Sequence, residues 1–379
     1  MSCVLKKTDD VSFSYAVSSG GTVSVLAGAG GFSACQLAGI TEFKSLFGVS
    51  GGAIVTALRA LGHTSNELLH MAVEQDFSKH VAIKGGVLGP LYSQGRRNRQ
   101  LIDALKRLVR IKTTPIAERA AIFSDEQNWS STGLLGTSGL GKFIQENATA
   151  TGLGNAWPSN YMTMATLKDG AQVVFNKDGV FKISLDDKLT QLSAEPAPLS
   201  LAVRASSAIP GIITAINFMD LLLFDGALSR DGLCPVGMQI RHFGADPKTI
   251  LACRVGEDAS HFIAGPAQRT IRRMWMVHPD YRWGPETAGV SECRPPIDHI
   301  HSLKFNLSDD EKWLAILISF ESHLKMLTFR GLLYGNRLRQ AQDIFEEIGY
   351  WRDIKPANSG EEQVLAPRAT KVFTEHGLF

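Results

Sequence analysis

The sequence lacks the cysteine patterns of secreted or metal-binding proteins. Only five cysteines occur among 379 residues, and none lies in a CxxC or Cys/His pattern with zinc-ligand spacing. This odd, scattered set argues against a disulfide framework and a metal site, and it favours reduced cysteines in a cytosolic setting. We therefore expect chemistry that uses neither a metal nor another cofactor.

The sequence also lacks long apolar runs and a strong net charge. Residues 1–10 contain lysines but lead into no apolar run with a cleavage-like end, which argues against a signal peptide. No uninterrupted apolar stretch approaches the roughly 18 residues of a membrane span. The formal net charge of +2 gives no indication of a nucleic-acid partner. These features predict a cytoplasmic protein or one that contacts a membrane peripherally.

What the sequence does contain is an alternation of short apolar segments, glycine turns and helical patterns. Residues 22–27 are β-branched and apolar, which predicts a buried strand; glycines at 28–31 and a helix over 33–46 follow. A second strand over 45–49 precedes another helix from residue 53. This order predicts an α/β fold with a mostly parallel central sheet.

The remaining chain divides into further strands and a helical end. Further strands are predicted over 161–167, 172–176, 219–224 and 250–255, the last of these closing the sheet, and a helix over 199–207. From about residue 260 the pattern is mainly helical, with amphipathic stretches at 310–330 and 334–348. The polar tail after residue 353 is predicted to pack poorly. We expect two domains, residues 1–259 and a helical extension over 260–379.

The first candidate for chemistry is a G-x-S-x-G motif formed by Gly48, Ser50 and Gly52. A serine on a tight strand-to-helix turn is held out over the sheet edge, and glycines two residues to either side avoid a collision. The following helix directs its positive end at the site. The pattern predicts a nucleophilic serine; the alternative is an ordinary glycine-rich turn.

The second candidate is the glycine-rich segment 28–31, predicted to be a loop. Glycines let backbone N–H groups converge on an anion, as an acyl hydrolase requires for its tetrahedral intermediate. A dinucleotide fingerprint, Gly28-x-Gly30-x-x-Ser33, is a weak alternative because the third position is serine. A phosphate loop is excluded because no Gly-Lys-Ser/Thr follows.

The third candidate is Asp225, at the predicted end of a strand and followed by glycine. A carboxylate there shares the sheet edge with Ser50, although a lone Asp-Gly is more often a turn. A catalytic triad would add a histidine downstream of Asp225. Candidates by position, none of them in a motif that indicates catalysis, are His242, His261, His278, His299 and His301. A carboxylate can itself accept the serine proton, so a Ser–Asp dyad is chemically sufficient.

In combination, these motifs resemble the patatin-like phospholipase family. The resemblance covers roughly residues 20–256 and rests on four motifs in the family's order: AGGFS at 29–33, GVSGG at 48–52, ASSAIPG at 205–211 and DGA at 225–227. Pro235 and the stretch GPLYS at 89–93 add to it. The resemblance implies a three-layer sandwich around the central sheet. Two departures are Ala29, where the family has a glycine, and Ser33, where it has a basic residue.

The resemblance implies a lipid acyl hydrolase with a Ser50–Asp225 dyad, no metal, and oxyanion donors at Gly30 and Gly31. Residues 1–259 would form the acyl hydrolase domain, acting on phospholipids or lysophospholipids. Because the oxyanion segment is altered, an inactive lipid-binding or partner-binding protein of the same fold is the alternative. Some relatives are injected effectors that need a host protein, so a protein activator and delivery as an effector stay open.

Two basic or aromatic segments bear on membrane contact. Residues 95–112 carry seven basic residues, with leucines at helical spacing, as in a helix lying on anionic lipid. Residues 272–283 combine arginines with tryptophan and tyrosine, as in an interfacial patch. For residues 95–112 we prefer the alternative, a helix that packs its leucines on the core. For residues 272–283 an interfacial patch and ordinary packing both stay open.

Overall fold

A computed structural model describes most of the chain. The described residues are 12–80, 82–83, 135–209, 213–255, 283–297, 300, 304–357 and 360–379. They contain twelve strands: β1 Phe13–Val17, β2 Phe43–Gly48, β3 Ala82–Ile83, β4 Leu135–Gly136, β5 Tyr161–Thr166, β6 Gln172–Asn176, β7 Gly179–Ile183, β8 Leu189–Ser193, β9 Ile216–Phe218, β10 Leu221–Asp225, β11 Ile250–Cys253 and β12 Ser291–Cys293.

Nine α-helices accompany the strands within the described part of the chain. They are α1 Gly21–Leu37, α2 Gly51–Ala60, α3 Ser65–Glu74, α4 Ser138–Ala150, α5 Leu199–Ser206, α6 Val236–Phe243, α7 Asp309–Phe329, α8 Gly335–Ile348 and α9 Leu365–Glu375. The predicted α/β class with a central sheet and a helical C-terminal region is confirmed. None of the described helices has the length and apolar character needed to cross a bilayer.

The central sheet combines a parallel half and an antiparallel half. Strands β12, β11, β1, β2 and β5 are neighbours in that order, and every pair among them is parallel. From β5 onward, β6, β7 and β8 form an antiparallel meander, and β10 also pairs antiparallel with β5. The sheet does not end at β11 as predicted, because β12 pairs with β11 beyond it.

The predicted strand over residues 22–27 is wrong, because this segment lies inside α1. The preceding strand is β1, and α1 is buried along nearly its whole length. A helix enclosed on all sides has no polar face, so its sequence shows no amphipathic period and is easily mistaken for a buried strand.

The helical C-terminal region packs on the α/β part. Helix α7 lies along α1, and one hydrophobic cluster includes Phe32 of α1, Phe320 of α7 and Phe373 of α9. The prediction of a poorly packed tail is wrong, since Phe373 is fully buried with its ring centroid 5.1 Å from that of Trp313. The division into two domains at residue 259 stays a prediction.

Four of the five cysteines lie in described parts of the chain. Cys35, Cys234, Cys253 and Cys293 are all free and buried. Burial raises the pKa of each thiol, which keeps it protonated and unreactive. The prediction of core cysteines therefore holds for these four, and their reduced state stays a prediction.

Candidate active site

Ser50 occupies the sharp turn between β2 and α2. Its backbone has φ 55° and ψ −123°, a conformation that side-chain-bearing residues rarely adopt. The turn is tight: a Cβ added at Gly48 would lie 2.1 Å from the Gly52 carbonyl oxygen, and one at Gly52 would lie 2.4 Å from that of Val17. These close backbone contacts leave no room for a side chain at Gly48 or Gly52.

The Ser50 hydroxyl donates a hydrogen bond to Asp225. The distance from Ser50 Oγ to Asp225 Oδ2 is 2.7 Å, although the two residues are 175 positions apart. The second carboxylate oxygen accepts a bond from the backbone N–H of Ala227 at 2.8 Å. The backbone N–H of Ser50 donates to Ser206 Oγ at 3.0 Å, which ties the turn to the end of α5. These bonds fix both side chains in one geometry.

Asp225 is buried, and the Ser50 hydroxyl and the Ala227 N–H that bond to its carboxylate are both neutral. Burial raises the pKa of its carboxyl from the usual 3.8 to about 7, while the bonds from Ala227 and Ser50 act in the opposite direction. A carboxyl with a pKa near neutrality can both accept and return a proton at physiological pH. This electrostatic setting suits a general base.

The glycines predicted to form an oxyanion loop lie elsewhere. Gly30 and Gly31 are in the middle of α1, where N–H groups bond along the helix. A Cβ at Gly30 would lie 2.6 Å from the Ile316 carbonyl oxygen of α7, and one at Gly31 would lie 2.0 Å from Tyr15 Oη. Ser33 Oγ donates to the Ala29 carbonyl oxygen within the helix. The loop prediction is wrong because these small residues serve close packing.

A different glycine pair, Gly20 and Gly21, lies at the start of α1 beside the serine turn. Gly20 caps the helix with no side-chain hydrogen bond, and Gly21 has φ 56°. A Cβ at Gly51 would lie 1.9 Å from the Gly21 carbonyl oxygen, so the N-termini of α1 and α2 are in direct contact. The first N–H groups of a helix have no acceptor within the helix, so the N-terminus of α1 presents donors next to Ser50. In α2 the N–H groups of Gly52 and Ala53 already donate to the carbonyl oxygens of Val49 and Ser50, which leaves Gly51 as its first residue beside the nucleophile candidate.

A mainly apolar pocket opens beside Ser50. Residues of the serine turn and of the starts of α1 and α2 contribute to its lining, namely Gly21, Thr22, Ser50 and Gly51, and Ser207 after α5 does so too. Its apolar walls include Val25, Ile54, Leu140, Phe143, Ile209 and Phe305. Sequence reasoning missed Thr22 and Phe305, and it included Ser207 only as part of the motif at 205–211. Thr22 follows a Gly-Gly pair, but the mistaken strand over 22–27 concealed that signal.

The described histidines do not extend the Ser50–Asp225 pair. His242 Nε2 lies 3.0 Å from Asp187 Oδ1, and the other four candidate histidines lie outside the described residues. His80, which was not predicted, lines the pocket, and burial lowers its pKa, so the neutral imidazole is favoured. The GPLYS stretch, residues 95–112 and most of 272–283 also lie outside the described residues.

A family model described as patatin-like phospholipase matches residues 16–236, more than half of the chain. The chain belongs to the patatin-like phospholipase family. The matched region of this patatin-like chain runs from β1 to the start of α6 and contains both Ser50 and Asp225. The resemblance predicted from the motifs is therefore confirmed at the level of the family.

Two solved structures are remotely similar to this patatin-like chain. The crystal structure of VipD from Legionella pneumophila has 12% identity and a TM-score of 0.46, covering 86% of this chain and 69% of that one. The crystal structure of the type III effector protein ExoU has 12% identity and a TM-score of 0.35, covering 96% and 68%. A search of curated protein sequences found no match.

Proposed function

We propose that this chain is a serine acyl hydrolase acting on lipid esters, of the phospholipase A or lysophospholipase type. The observation that carries the proposal is the 2.7 Å hydrogen bond from Ser50 Oγ to a buried Asp225 carboxylate at a strained strand-to-helix turn. Membership in a phospholipase family supports lipids as the substrate class. The apolar walls of the adjoining pocket suit an acyl chain.

The dyad accounts for both halves of the reaction. Asp225 accepts the proton from Ser50 as the hydroxyl oxygen attacks the ester carbonyl carbon. When the tetrahedral intermediate collapses, the bond to the alcohol oxygen breaks and Asp225 returns the proton to that oxygen. A water molecule then attacks the acyl-serine, Asp225 again accepts the proton, and fatty acid is released as the proton returns to Ser50.

Backbone donors at the two helix N-termini stabilise the intermediate in this proposal. The N–H groups of Gly21 and Thr22 at the start of α1, and of Gly51 at the start of α2, lie where negative charge develops. They replace Gly30 and Gly31 as the expected oxyanion donors. In this proposal the positive ends of both helices face the same oxygen, which strengthens the effect.

Replacing each member of the dyad tests this proposal. Ser50→Ala and Asp225→Asn are each expected to abolish fatty-acid release from phospholipid or lysophospholipid vesicles, measured by mass spectrometry. Circular dichroism verifies that both variants are folded. Ser24→Ala, a buried serine of α1 that does not line the pocket, and Asp220→Asn, an exposed aspartate, are the matched controls.

Labelling with a fluorophosphonate separates the enzyme from a binding protein of the same fold. The wild-type chain is expected to be labelled at Ser50, and Ser50→Ala is expected to remain unlabelled. Fatty-acid release from Ser50→Ala at the wild-type rate would refute the assignment. A folded wild-type chain that neither reacts with the probe nor releases fatty acid would favour the binding protein.

A further inference from the structure

The end of α5 makes hydrogen bonds to both members of the dyad. Ser206 Oγ accepts a bond from the backbone N–H of Ser50 at 3.0 Å. Two residues further on, the Ala208 carbonyl oxygen accepts a bond from the backbone N–H of Asp225 at 2.9 Å. Ser206 and Ala208 are both 0% exposed, so both bonds are shielded from water. One short segment, residues 206–208, therefore contacts two residues that are 175 positions apart in the chain.

The segment 206–208 is itself fixed by the packing of α5. This helix contacts β5, β10 and α2, and it buries Leu199, Ala202, Val203 and Ala205. The N–H groups of Ser207 and Ala208 bond to the carbonyl oxygens of Arg204 and Ala205, which extends the hydrogen bonding of the helix into the segment. The acceptors that meet Ser50 and Asp225 thus belong to one well-anchored piece of backbone.

The Ser50 turn needs such an anchor because its backbone is strained. Its φ of 55° lies in the left-handed region, which residues with a side chain rarely adopt. Relaxation by rotation about the N–Cα bond would turn either the peptide group or the side chain. The first would move the N–H away from Ser206 Oγ, and the second would move the Ser50 hydroxyl away from Asp225. The two hydrogen bonds together therefore oppose relaxation of the turn.

We propose that Ser206 is a positioning residue for the nucleophile, whose hydroxyl oxygen holds the Ser50 backbone so that Oγ stays within hydrogen-bond distance of Asp225. Ser206 does not line the pocket, and in this inference it takes no part in proton transfer. Because Ala208 holds Asp225 through its own carbonyl oxygen, loss of the Ser206 hydroxyl releases only the Ser50 side of the dyad. The inference rests on the proposed acyl hydrolase function and adds a residue outside the dyad to it.

The test compares Ser206→Ala and Ser206→Thr with the wild-type chain in hydrolysis of p-nitrophenyl butyrate at a series of pH values. Ser206→Ala removes the acceptor, and kcat is expected to fall about 100-fold, as for a displacement of about 1 Å in a catalytic group. KM is expected to change little, because Ser206 does not line the pocket. Ser206→Thr keeps the hydroxyl and is expected to retain kcat within a few-fold.

The pH profile distinguishes positioning from a purely structural role. Burial raises the pKa of Asp225, and the hydrogen bonds from Ala227 and Ser50 lower it by stabilising the ionised carboxylate. A displaced Ser50 no longer supplies its bond, so the midpoint of the pH–rate profile of Ser206→Ala is expected to move to higher pH. A loss of stability alone would leave that midpoint in place.

Ser33→Ala is the matched control. Ser33 is also 0% exposed, and its hydroxyl also makes a hydrogen bond to the backbone, at 3.1 Å to the Ala29 carbonyl oxygen. It lies about three turns along α1 from Gly21, so its replacement is expected to leave kcat and the pH midpoint at their wild-type values. If Ser206→Ala does not fold, Ser206→Cys takes its place in the same comparison, since a thiol is a weaker acceptor of similar shape.

The outcomes separate this inference from the proposed function. Ser50-dependent hydrolysis by the wild-type chain, together with a kcat of Ser206→Ala within twofold of wild type or an unchanged pH midpoint, would overturn the inference alone. An equal fall of kcat in Ser33→Ala would do the same. Absence of Ser50-dependent hydrolysis in the wild-type chain would overturn both. A lowered kcat with a raised pH midpoint in Ser206→Ala, and neither change in Ser33→Ala, supports the inference.

Discussion

Replacing Asp225 with asparagine is expected to stabilise the folded chain at alkaline pH while abolishing hydrolysis. Asp225 is 2% exposed, and its carboxyl bonds to a hydroxyl and a backbone N–H rather than to a cation. Burial raises the pKa of this carboxyl from 3.8 to about 7. The folded state therefore disfavours the ionised form that catalysis needs.

The sign of the effect follows from proton binding. Between about pH 4 and pH 7 the folded chain holds a proton on Asp225 that the unfolded chain has released. The free energy of unfolding contributed by this group therefore decreases as pH rises through that window and is constant above it. A pKa difference of about 3, at about 1.4 kcal/mol per unit, sets the total decrease at about 4 kcal/mol.

Asparagine is neutral at every pH in this range and preserves both hydrogen bonds. Its carbonyl oxygen can accept from the Ala227 N–H, and its amide can donate to Ser50 Oγ. The advantage of Asp225→Asn over the wild-type chain should thus grow by up to about 4 kcal/mol between pH 4 and pH 8. Urea denaturation of the wild-type chain and of Asp225→Asn at a series of pH values measures this difference in the free energy of unfolding. Asp220→Asn makes the same substitution at an exposed position and is the control.

A stability difference that is the same at pH 5 and pH 8 would contradict the reasoning. It would mean that the ionised carboxylate is stabilised in the folded chain by groups other than Ser50 and Ala227. The same ionisation governs the reaction, because only ionised Asp225 can accept the serine proton. Hydrolysis by the wild-type chain is accordingly expected to increase as pH rises through about 7 and to level off above it.

Two further predictions concern packing. Gly51→Ala is expected to reduce hydrolysis at least about 100-fold, because its Cβ would lie 1.9 Å from the Gly21 carbonyl oxygen and would displace the donors of α1; wild-type kinetics would contradict this. Phe373→Ala is expected to lower the free energy of unfolding by about 3–5 kcal/mol, measured by denaturation. Phe329→Ala, with a side chain 91% exposed, is its control, and equal effects of the two would contradict a packed C-terminal helix.

The sequence was sufficient to predict the features that short-range patterns encode. The strands around residues 45–49, 161–167 and 172–176 and the helices near 310–330 and 334–348 all occur with small changes in their bounds. A strand that ends in G-x-S-x-G requires a turn whatever the surrounding fold, since only glycines fit beside the nucleophile. The position of Asp225 at the end of β10 could likewise be predicted from the local sequence, an apolar segment followed by Asp-Gly.

The error in α1 came from a feature that local patterns do not encode. Residues 22–27 are rich in β-branched and apolar side chains, which locally favour a strand, whereas in the fold they pack within a helix against the distant α7 and against α2 and α3. The strand before them, β1, occupies the middle of the parallel half of the sheet and ends at the Ser-Ser-Gly-Gly segment 18–21. The glycine turn that follows the first strand is therefore formed by Gly20 and Gly21 and not by the glycines after residue 27.

The glycines of α1 and the C-terminal helix α7 together determine how α1 is positioned. Gly30 allows α1 to approach the backbone of α7, and Ser319 of α7 donates from Oγ to the Ala27 carbonyl oxygen at 2.7 Å. Helix α7 lies beyond residue 236, where the family match ends, yet it fixes the long axis of the helix whose first turn adjoins Ser50. A displacement of about 1 Å in a catalytic group can reduce a rate about 100-fold. The packing of α7 on α1 therefore bears directly on the geometry of the oxyanion donors proposed at the start of α1.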